Sequence, residues 1–349
     1  MIEILPLLLF FIICISLLLG YPVAFTLGGV SILFAMIASL FGLFDLTLLE
    51  TMPNRLFGIM TNSTLVAVPL FIFMGVTLEK SKIAELLLTS MSKLFSRYKS
   101  GLGISILFVG TMLAASTGIV GATVIAMGLI SLPAMLKRGY SQKISTGLIA
   151  ATGTLGQIIP PSIALVILGD VLATAYQQSQ LKIGNYVAKS LSVGDLFMAA
   201  IVPGIILVLI YGLYFVIALR KQELNTFSES KDDNLFKLIS TLVPPFFLIF
   251  AVLGSIILGV ASPTEAAGIG ALGAILIALF HKKLTIQILK ETTKQSAFIS
   301  SMVFLILIGA SIFSLVFRGL GGEELITEIF NMIPGGLFLS LIHISEPTR

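Results

Sequence analysis

The chain has 349 residues, of which 57% are hydrophobic and 11% charged, with a formal charge of +4. Soluble domains carry about a quarter charged residues, so an ordinary soluble protein is excluded, and a mean hydropathy of +1.08 makes membrane spans the unit to count. One cysteine, Cys14, and two histidines, His281 and His343, exclude a disulfide framework or a Cys-rich metal site and leave poor material for acid–base chemistry; no enzyme is expected.

A spanning helix needs about 20 mostly apolar residues. In chain order the stretches that qualify or nearly do are 4–19, 23–44, 65–78, 102–113, 119–136, 144–173, 196–219, 238–259, 266–280 and 297–317. Their length without period-two alternation predicts helices, because backbone groups in lipid must bond within their own segment or close a barrel. The first stretch lacks a basic leader and runs straight into the next, so it reads as a transmembrane helix rather than a signal peptide. Lys and Arg orient the chain: sixteen fall in the loops 80–99, 137–143, 220–237 and 282–294, against four in the alternate set, Arg55, Lys182, Lys189 and Arg318. The N-terminus is therefore expected outside.

That orientation puts Ser100 and Lys137 on the same cytoplasmic side, joined by small and apolar residues. A re-entrant hairpin, 102–113 inward and 119–136 back, solves the path, with its tip near Ala114-Ala115-Ser116-Thr117-Gly118. Between Lys80 and Lys99, apolar Ile83, Leu86, Leu87, Met91, Leu94, Phe95 and Tyr98 fall on one helical face, which predicts a helix along the cytoplasmic interface.

The stretch 144–173 is too long for a simple span, about 45 Å as continuous helix. Its centre reads Gly153-Thr154-Leu155-Gly156-Gln157-Ile158-Ile159-Pro160-Pro161-Ser162. Neither proline has an N–H for the carbonyls of Gly156 and Gln157, and the residue before each proline is pushed toward extended geometry. Two half-helices around an unwound centre are expected, the pattern in which freed carbonyls bind Na⁺ and half-helix N-termini face an anionic substrate. Pro244-Pro245, flanked by Leu, Val and Phe, reads instead as the first turn of an ordinary span.

Gly20-Tyr21-Pro22-Val23-Ala24-Phe25 opens the second span, and Ala261-Ser262-Pro263-Thr264-Glu265-Ala266 opens a later one, 241 residues on by the prolines. The two run in opposite directions through the membrane, so the repeat is inverted. Ser262, Pro263 and Glu265 form a capping-box pattern, which assigns Glu265 a structural role. After residue 341 no residues remain for a second hairpin and second broken helix. The chain is therefore expected to be a fragment with a non-native tail at 341–349. The predicted fold is an all-α polytopic membrane protein of the inverted-repeat, elevator type, with a re-entrant hairpin, a broken helix and an incomplete second repeat. Its parts are scaffold helices and an interfacial arm (1–99), the hairpin and broken helix (100–176), a connecting span and loop (177–236), a partial second repeat (237–340) and the tail.

The entry at 20–25, Pro69-Leu70-Phe71-Ile72-Phe73-Met74-Gly75, the block from Leu113-Ala114-Ala115-Ser116-Thr117-Gly118 through Lys137-Arg138-Gly139-Tyr140 to Pro160-Pro161-Ser162, Pro203-Gly204 and Ser262-Pro263-Thr264-Glu265-Ala266-Ala267 together resemble the DctM-like large membrane subunit of tripartite ATP-independent periplasmic (TRAP) transporters. The resemblance runs in order over residues 1–340, with a first tip that departs from the Ser-Gly-Ser-Ser type common in the family. It implies Na⁺-driven import of an organic acid, of the dicarboxylate or sugar-acid class, by elevator motion. It also implies a soluble periplasmic substrate-binding protein (DctP-like) and a small four-helix membrane subunit (DctQ-like) as partners in the lipid bilayer, with no nucleic acid and no organic cofactor. On this reading Ser116, Thr117, Gly118, Gly121, Thr152, Gly153 and Gly156 are candidates to hold Na⁺, and Thr154, Gln157 and Ser162 to contact substrate. A stand-alone Na⁺-coupled anion symporter of related hairpin architecture is the alternative; a scaffold without transport leaves the broken helix unexplained.

Overall fold

The computed structural model describes residues 4–95, 98–117, 120–185, 190–220 and 235–332, and the regular structure among them is helical. In order come α1 (Leu5–Leu18) and α2 (Val23–Phe25), which passes through a π-helical turn (Thr26–Val30) into α3 (Ser31–Leu40). A 3₁₀ turn (Leu46–Thr51), α4 (Met52–Thr61), α5 (Ala67–Lys80) and α6 (Ile83–Leu94) follow. Next are α7 (Gly101–Thr117), α8 (Val120–Lys137), α9 (Gln142–Thr154), a 3₁₀ turn (Leu155–Gln157) and α10 (Ile163–Lys182). The chain continues with α11 (Val193–Leu219), α12 (Leu235–Ile257), α13 (Pro263–Phe280), α14 (Ile286–Gly319) and α15 (Gly322–Met332). Five segments among the described residues are long and apolar enough to cross a membrane: Val23–Leu40, Val193–Leu219, Ile239–Ile257, Pro263–Phe280 and Ile286–Gly319. Leu5–Leu18, Gly101–Leu113 and Thr123–Lys137 are apolar but shorter.

The helix starts follow local chemistry. Ser262 accepts from the Glu265 N–H while the Glu265 carboxylate accepts from the Ser262 N–H at 2.8 Å, the predicted capping box in both halves. Glu265 thus closes a helix end, as its sequence context implies. A second box, Ser192 with Asp195, starts α11. Gly139, at φ 86°, ends α8 in the left-handed conformation that favours glycine.

The described chain divides into two compact units, 1–62 with 298–349, and 63–297. In the first, Leu9, Ile13, Ala35, Ala38, Phe44, Val316 and Leu320 form a buried cluster. A Cβ on Gly309 would strike the Ala24 carbonyl, and one on Gly28 would lie 3.7 Å from the Gly309 Cα. Helix backbones touch here, as small residues permit in membrane proteins, beside the π turn. The sequence pattern carries no sign of that turn.

In the second unit α5 and α13 pack on each other. Ala266, Ala267, Gly270, Ala271, Ala274 and Ala278 make a buried small-residue face on α13, and Phe71, Ile72, Met74 and Leu78 are buried on α5. The Thr264 hydroxyl donates to the Ser63 carbonyl at 2.8 Å, tying the two helix starts together. Around this core, α11 leaves Val202, Ile205, Leu209, Leu213 and Ile217 exposed in a continuous apolar stripe, the face a bilayer would cover.

Four elements depart from the sequence reading. Of the apolar face read in 80–99, Ile83, Leu87 and Met91 are buried where α6 packs on α7 and α12, so protein receives that part, while Leu94 and Tyr98 stay exposed. Pro244 and Pro245 lie ten residues into α12 instead of its first turn, because the helix starts at Leu235, and it continues through them. α14 begins eleven residues before the apolar stretch that marked it. Lys290 and Lys294 are therefore helical, and the Thr285 hydroxyl accepts from the Ile288 N–H at 3.2 Å near the start. The polar sequence after Ala173 continues α10 to Lys182.

Candidate functional site

The predicted break is present. α9 stops at Thr154, residues 155–157 tighten into a 3₁₀ turn, and α10 restarts at Ile163. The residues four on from Gly156 and Gln157 are Pro160 and Pro161, which offer no N–H, so helical bonding cannot continue through them. The carbonyl of Leu155 accepts from both Ile158 and Ile159, at 3.0 and 2.9 Å. Ser162 is fully buried; its hydroxyl donates to the Gln157 carbonyl at 2.9 Å and accepts from the Leu165 N–H at 3.4 Å. It therefore caps α10 and occupies one of the carbonyls the prolines release. This is the structural role that its position before a half-helix suggests, and it leaves Ser162 inside the protein.

Two helices bring the hairpin to the break. α7 and α8 pack on each other and on α9, and the 3₁₀ turn packs on both. Contact is made through glycines. A Cβ on Gly110 of α7 would lie 3.0 Å from the Thr152 Cβ, and one on Gly153 would collide with the Val124 side chain of α8. Thr152 is fully buried, its hydroxyl directed to the carbonyls of Leu148 and Ile149, each at 2.9 Å. Its proton serves its own helix, while the lone pairs remain able to accept or ligate. Thr152 and Gly153 thus meet the limbs of the hairpin, one to two turns from its tip. Thr154 is exposed and donates to the Ala151 carbonyl at 2.8 Å; Gly156 is buried and Gln157 half-buried.

Of the predicted tip residues, Ser116 and Thr117 end α7, and Gly121 lies exposed in the first turn of α8, with open space where a Cβ would stand. Gly118 lies outside the described residues. The donors offered around the break are neutral hydroxyl and carbonyl oxygens, and no group of three His, Cys, Asp or Glu side chains is gathered among the described residues. Neutral oxygens suit a hard monovalent cation such as Na⁺ better than a transition metal.

Sequence reasoning missed the third wall. A Cβ on Gly204 of α11 would come within 2.8 Å of the Ile159 side chain, so the glycine of Pro203-Gly204 makes room for the unwound segment. About three turns further along α11, Phe215 lies over Gly103 of α7 and stacks on Tyr140 with ring centroids 6.0 Å apart. The Tyr140 hydroxyl donates to the Lys99 carbonyl at 2.6 Å. That bond joins the chain leaving α8 to the chain entering α7 and closes the base of the hairpin. Burial pushes the Tyr140 phenol up from its ordinary value, opposed by the nearby Arg138 charge and the Gly103 N–H. Tyr140→Phe keeps the stacking and loses the bond; thermal unfolding of the purified protein is expected to show a loss of about 1 kcal/mol. Unchanged unfolding would remove the bond from the account.

A profile of the family described as tripartite ATP-independent periplasmic transporter, DctM component, matches residues 9–345. The C4-dicarboxylate TRAP transporter large permease protein DctM of Rhodobacter capsulatus is 29% identical over 345 residues, covering 97% of this chain and 76% of the relative. The ectoine/5-hydroxyectoine TRAP transporter large permease protein UehC of Ruegeria pomeroyi is 30% identical over 304 residues, covering 86% and 66%. The isethionate TRAP transporter permease protein DctMQ of Oleidesulfovibrio alaskensis is 29% identical over 253 residues, covering 71% and 37%. Several relatives are thus matched over less than two thirds of their length.

Proposed function

This chain belongs to the DctM family of tripartite ATP-independent periplasmic transporters, and on that premise we propose that it is the large membrane subunit of a Na⁺-coupled importer of small organic acids, a transporter and not an enzyme. The observation that carries this reading is the break at 155–162, held between the α7–α8 pair and Gly204 of α11. A gap in helical bonding inside an apolar protein is costly unless the released groups have work to do or partners to meet. Ser162 meets one of them; the carbonyl of Gly156 and the hydroxyl lone pairs of Thr152 supply oxygens for an ion. The N-terminus of α10, a helix of 20 residues, directs a positive dipole end toward the break, where an acidic group would be favoured. Na⁺, when bound, would add a full positive charge and so couple ion and substrate occupancy.

The packing supports movement as one body. The hairpin, α9 and the 3₁₀ turn contact one another directly, while Tyr140 and Lys99 close the hairpin's base. Element boundaries support a repeat as well. Val23–Leu40 and Pro263–Phe280 are both 18 residues long and 240 residues apart. α6 and α15 start 239 residues apart.

The relatives' names, which include C4-dicarboxylate, ectoine and isethionate, widen the substrate class beyond dicarboxylates and sugar acids to small molecules with at least one acidic group. A soluble periplasmic binding protein would deliver the substrate and a small membrane subunit would complete the permease in the bacterial inner membrane, with the N-terminus periplasmic. The test is uptake into proteoliposomes holding the full-length protein and its small subunit, using labelled dicarboxylate, ectoine or sugar acid. Uptake should require both an inward Na⁺ gradient and the cognate binding protein. Uptake with no binding protein would favour the stand-alone symporter, and equal uptake under a K⁺ gradient would rule out Na⁺ coupling.

A further inference from the structure

We propose that the two turns ending α5 and α13, which carry Lys82 and Lys282, form a binding site for the headgroup phosphate of an anionic phospholipid. A helix that ends in a left-handed residue places glycine there by preference, because a Cβ is strained in that conformation. α1, α3, α8, α10, α12 and α14 follow this rule, with Gly20, Gly42, Gly139, Gly184, Gly259 and Gly321 at positive φ. Among the described residues the two exceptions are Lys82, at φ 55°, and Lys282, at φ 54°. Both turns make the bonds of an ordinary helix end. The Lys82 N–H donates to the Glu79 carbonyl at 3.0 Å, and the Lys282 and Lys283 N–H groups donate to the Leu279 and Ala278 carbonyls, each at 2.9 Å. Glycine would make the same bonds, so the backbone gives no reason for lysine at either position. What lysine adds is an exposed ammonium group.

The two exceptions are neighbours. The Thr264 hydroxyl ties the starts of α5 and α13 together; further on, a Cβ on Gly268 would lie 4.0 Å from Leu70, and one on Gly270 would lie 2.7 Å from the Met74 sulfur. Residue numbers rise together along this contact, so the helices run parallel and end on the same side. Counted from Met74 and Gly270, Lys82 is eight residues on and Lys282 twelve, which separates the turns by about 6 Å along the helix axis. Lys283 adds a third exposed charge. Of the acids close in sequence, Glu79 interacts with the Lys80 charge, and Glu85 complements the start of α6. A phosphate takes charge-assisted bonds from several ammonium groups at once.

The surroundings select a lipid over a soluble anion. Ile269, Leu272, Leu276 and Phe280 are exposed on α13, and their spacing places them on one face, away from the small-residue face that is buried. This stripe runs to Phe280, 82% exposed and two residues before Lys282. Acyl chains along it would bring a headgroup to the lysines, where basic side chains at helix ends meet anionic lipid. A soluble anion has no use for the stripe.

The experiment is native mass spectrometry of the full-length protein with phosphatidylglycerol or phosphatidylethanolamine. The wild type is expected to hold phosphatidylglycerol at least about tenfold more strongly. K82G/K282G should bring that preference below about twofold. K82R/K282R, which keeps the charges, and K137Q/K143Q, which removes two charges from α8 and α9, should retain it. Thermal unfolding without added lipid separates binding from a structural role: K82G/K282G should unfold at the same temperature or higher, because glycine suits both turns. A lower unfolding temperature would assign the lysines to their own helix ends and overturn the proposal. No preference in the wild type, a preference kept by K82G/K282G, or one lost equally in K137Q/K143Q overturns it as well. Displacement of the lipid by millimolar inorganic phosphate would assign the turns to a soluble anion, with the same consequence.

Discussion

Gly153→Ala is expected to lower substrate uptake at least tenfold, about 1.4 kcal/mol, and to destabilise the protein, with overpacking in a close-packed interior costing about 1–3 kcal/mol. The added methyl collides with the Val124 side chain of α8, at the point where α9 meets the hairpin. Neither backbone can move aside freely, because Thr152 on the same turn is already against Gly110 of α7. The collision has one removable partner. Val124→Ala in the same protein should restore uptake and unfolding temperature together, while Val124→Ala alone leaves a small void and a modest loss. Uptake in proteoliposomes and thermal unfolding check both halves. A double variant as impaired as the single one would mean that Gly153 matters for something other than its contact with Val124.

The second large effect is expected from Pro160→Ala with Pro161→Ala. Alanine returns an N–H to each position, so the carbonyls of Gly156 and Gln157 regain helical partners, and each substitution removes a residue about 3 kcal/mol less favourable than alanine in a helix. Helix formation across 155–162 then competes with the break. Uptake should fall at least about tenfold while membrane expression and helix content, by circular dichroism, do not fall, since the site rather than the fold is what the prolines create. Retained uptake would show that the break is a packing feature without a part in transport.

How much of this was legible in the sequence depends on the range over which each feature is decided. The break is local: two prolines, two glycines and a serine within ten residues settle it, whereas Ser162, read there as a substrate contact, is buried with its hydroxyl on the Gln157 carbonyl. The Ser262–Glu265 box is local too. By contrast, Pro160-Pro161 and Pro244-Pro245 are the same dipeptide with different outcomes. The second was misplaced because the start of α12 at Leu235 lies in a polar stretch that hydropathy leaves outside the span. The early start of α14 was hidden in the same way: Lys290 and Lys294 count as loop charges in an orientation tally but are also good helix formers. The walls of the site depend on contacts distant in sequence. Gly110 with Thr152, Gly153 with Val124 and Gly204 with Ile159 each join different helices, and a glycine in the sequence does not say which neighbour it admits. The π turn at Thr26–Val30, beside the contact of Gly28 with Gly309, is the extreme case, since the two partners are 281 residues apart.

Na⁺ binding at the break is the central claim, and thermal unfolding of the purified full-length protein in Na⁺ or K⁺ measures it without requiring transport. Stabilisation that grows with Na⁺, is absent with equal K⁺, and disappears in the Pro160→Ala, Pro161→Ala protein is the predicted result. Equal stabilisation by both ions, or Na⁺ stabilisation that survives the two substitutions, would contradict it.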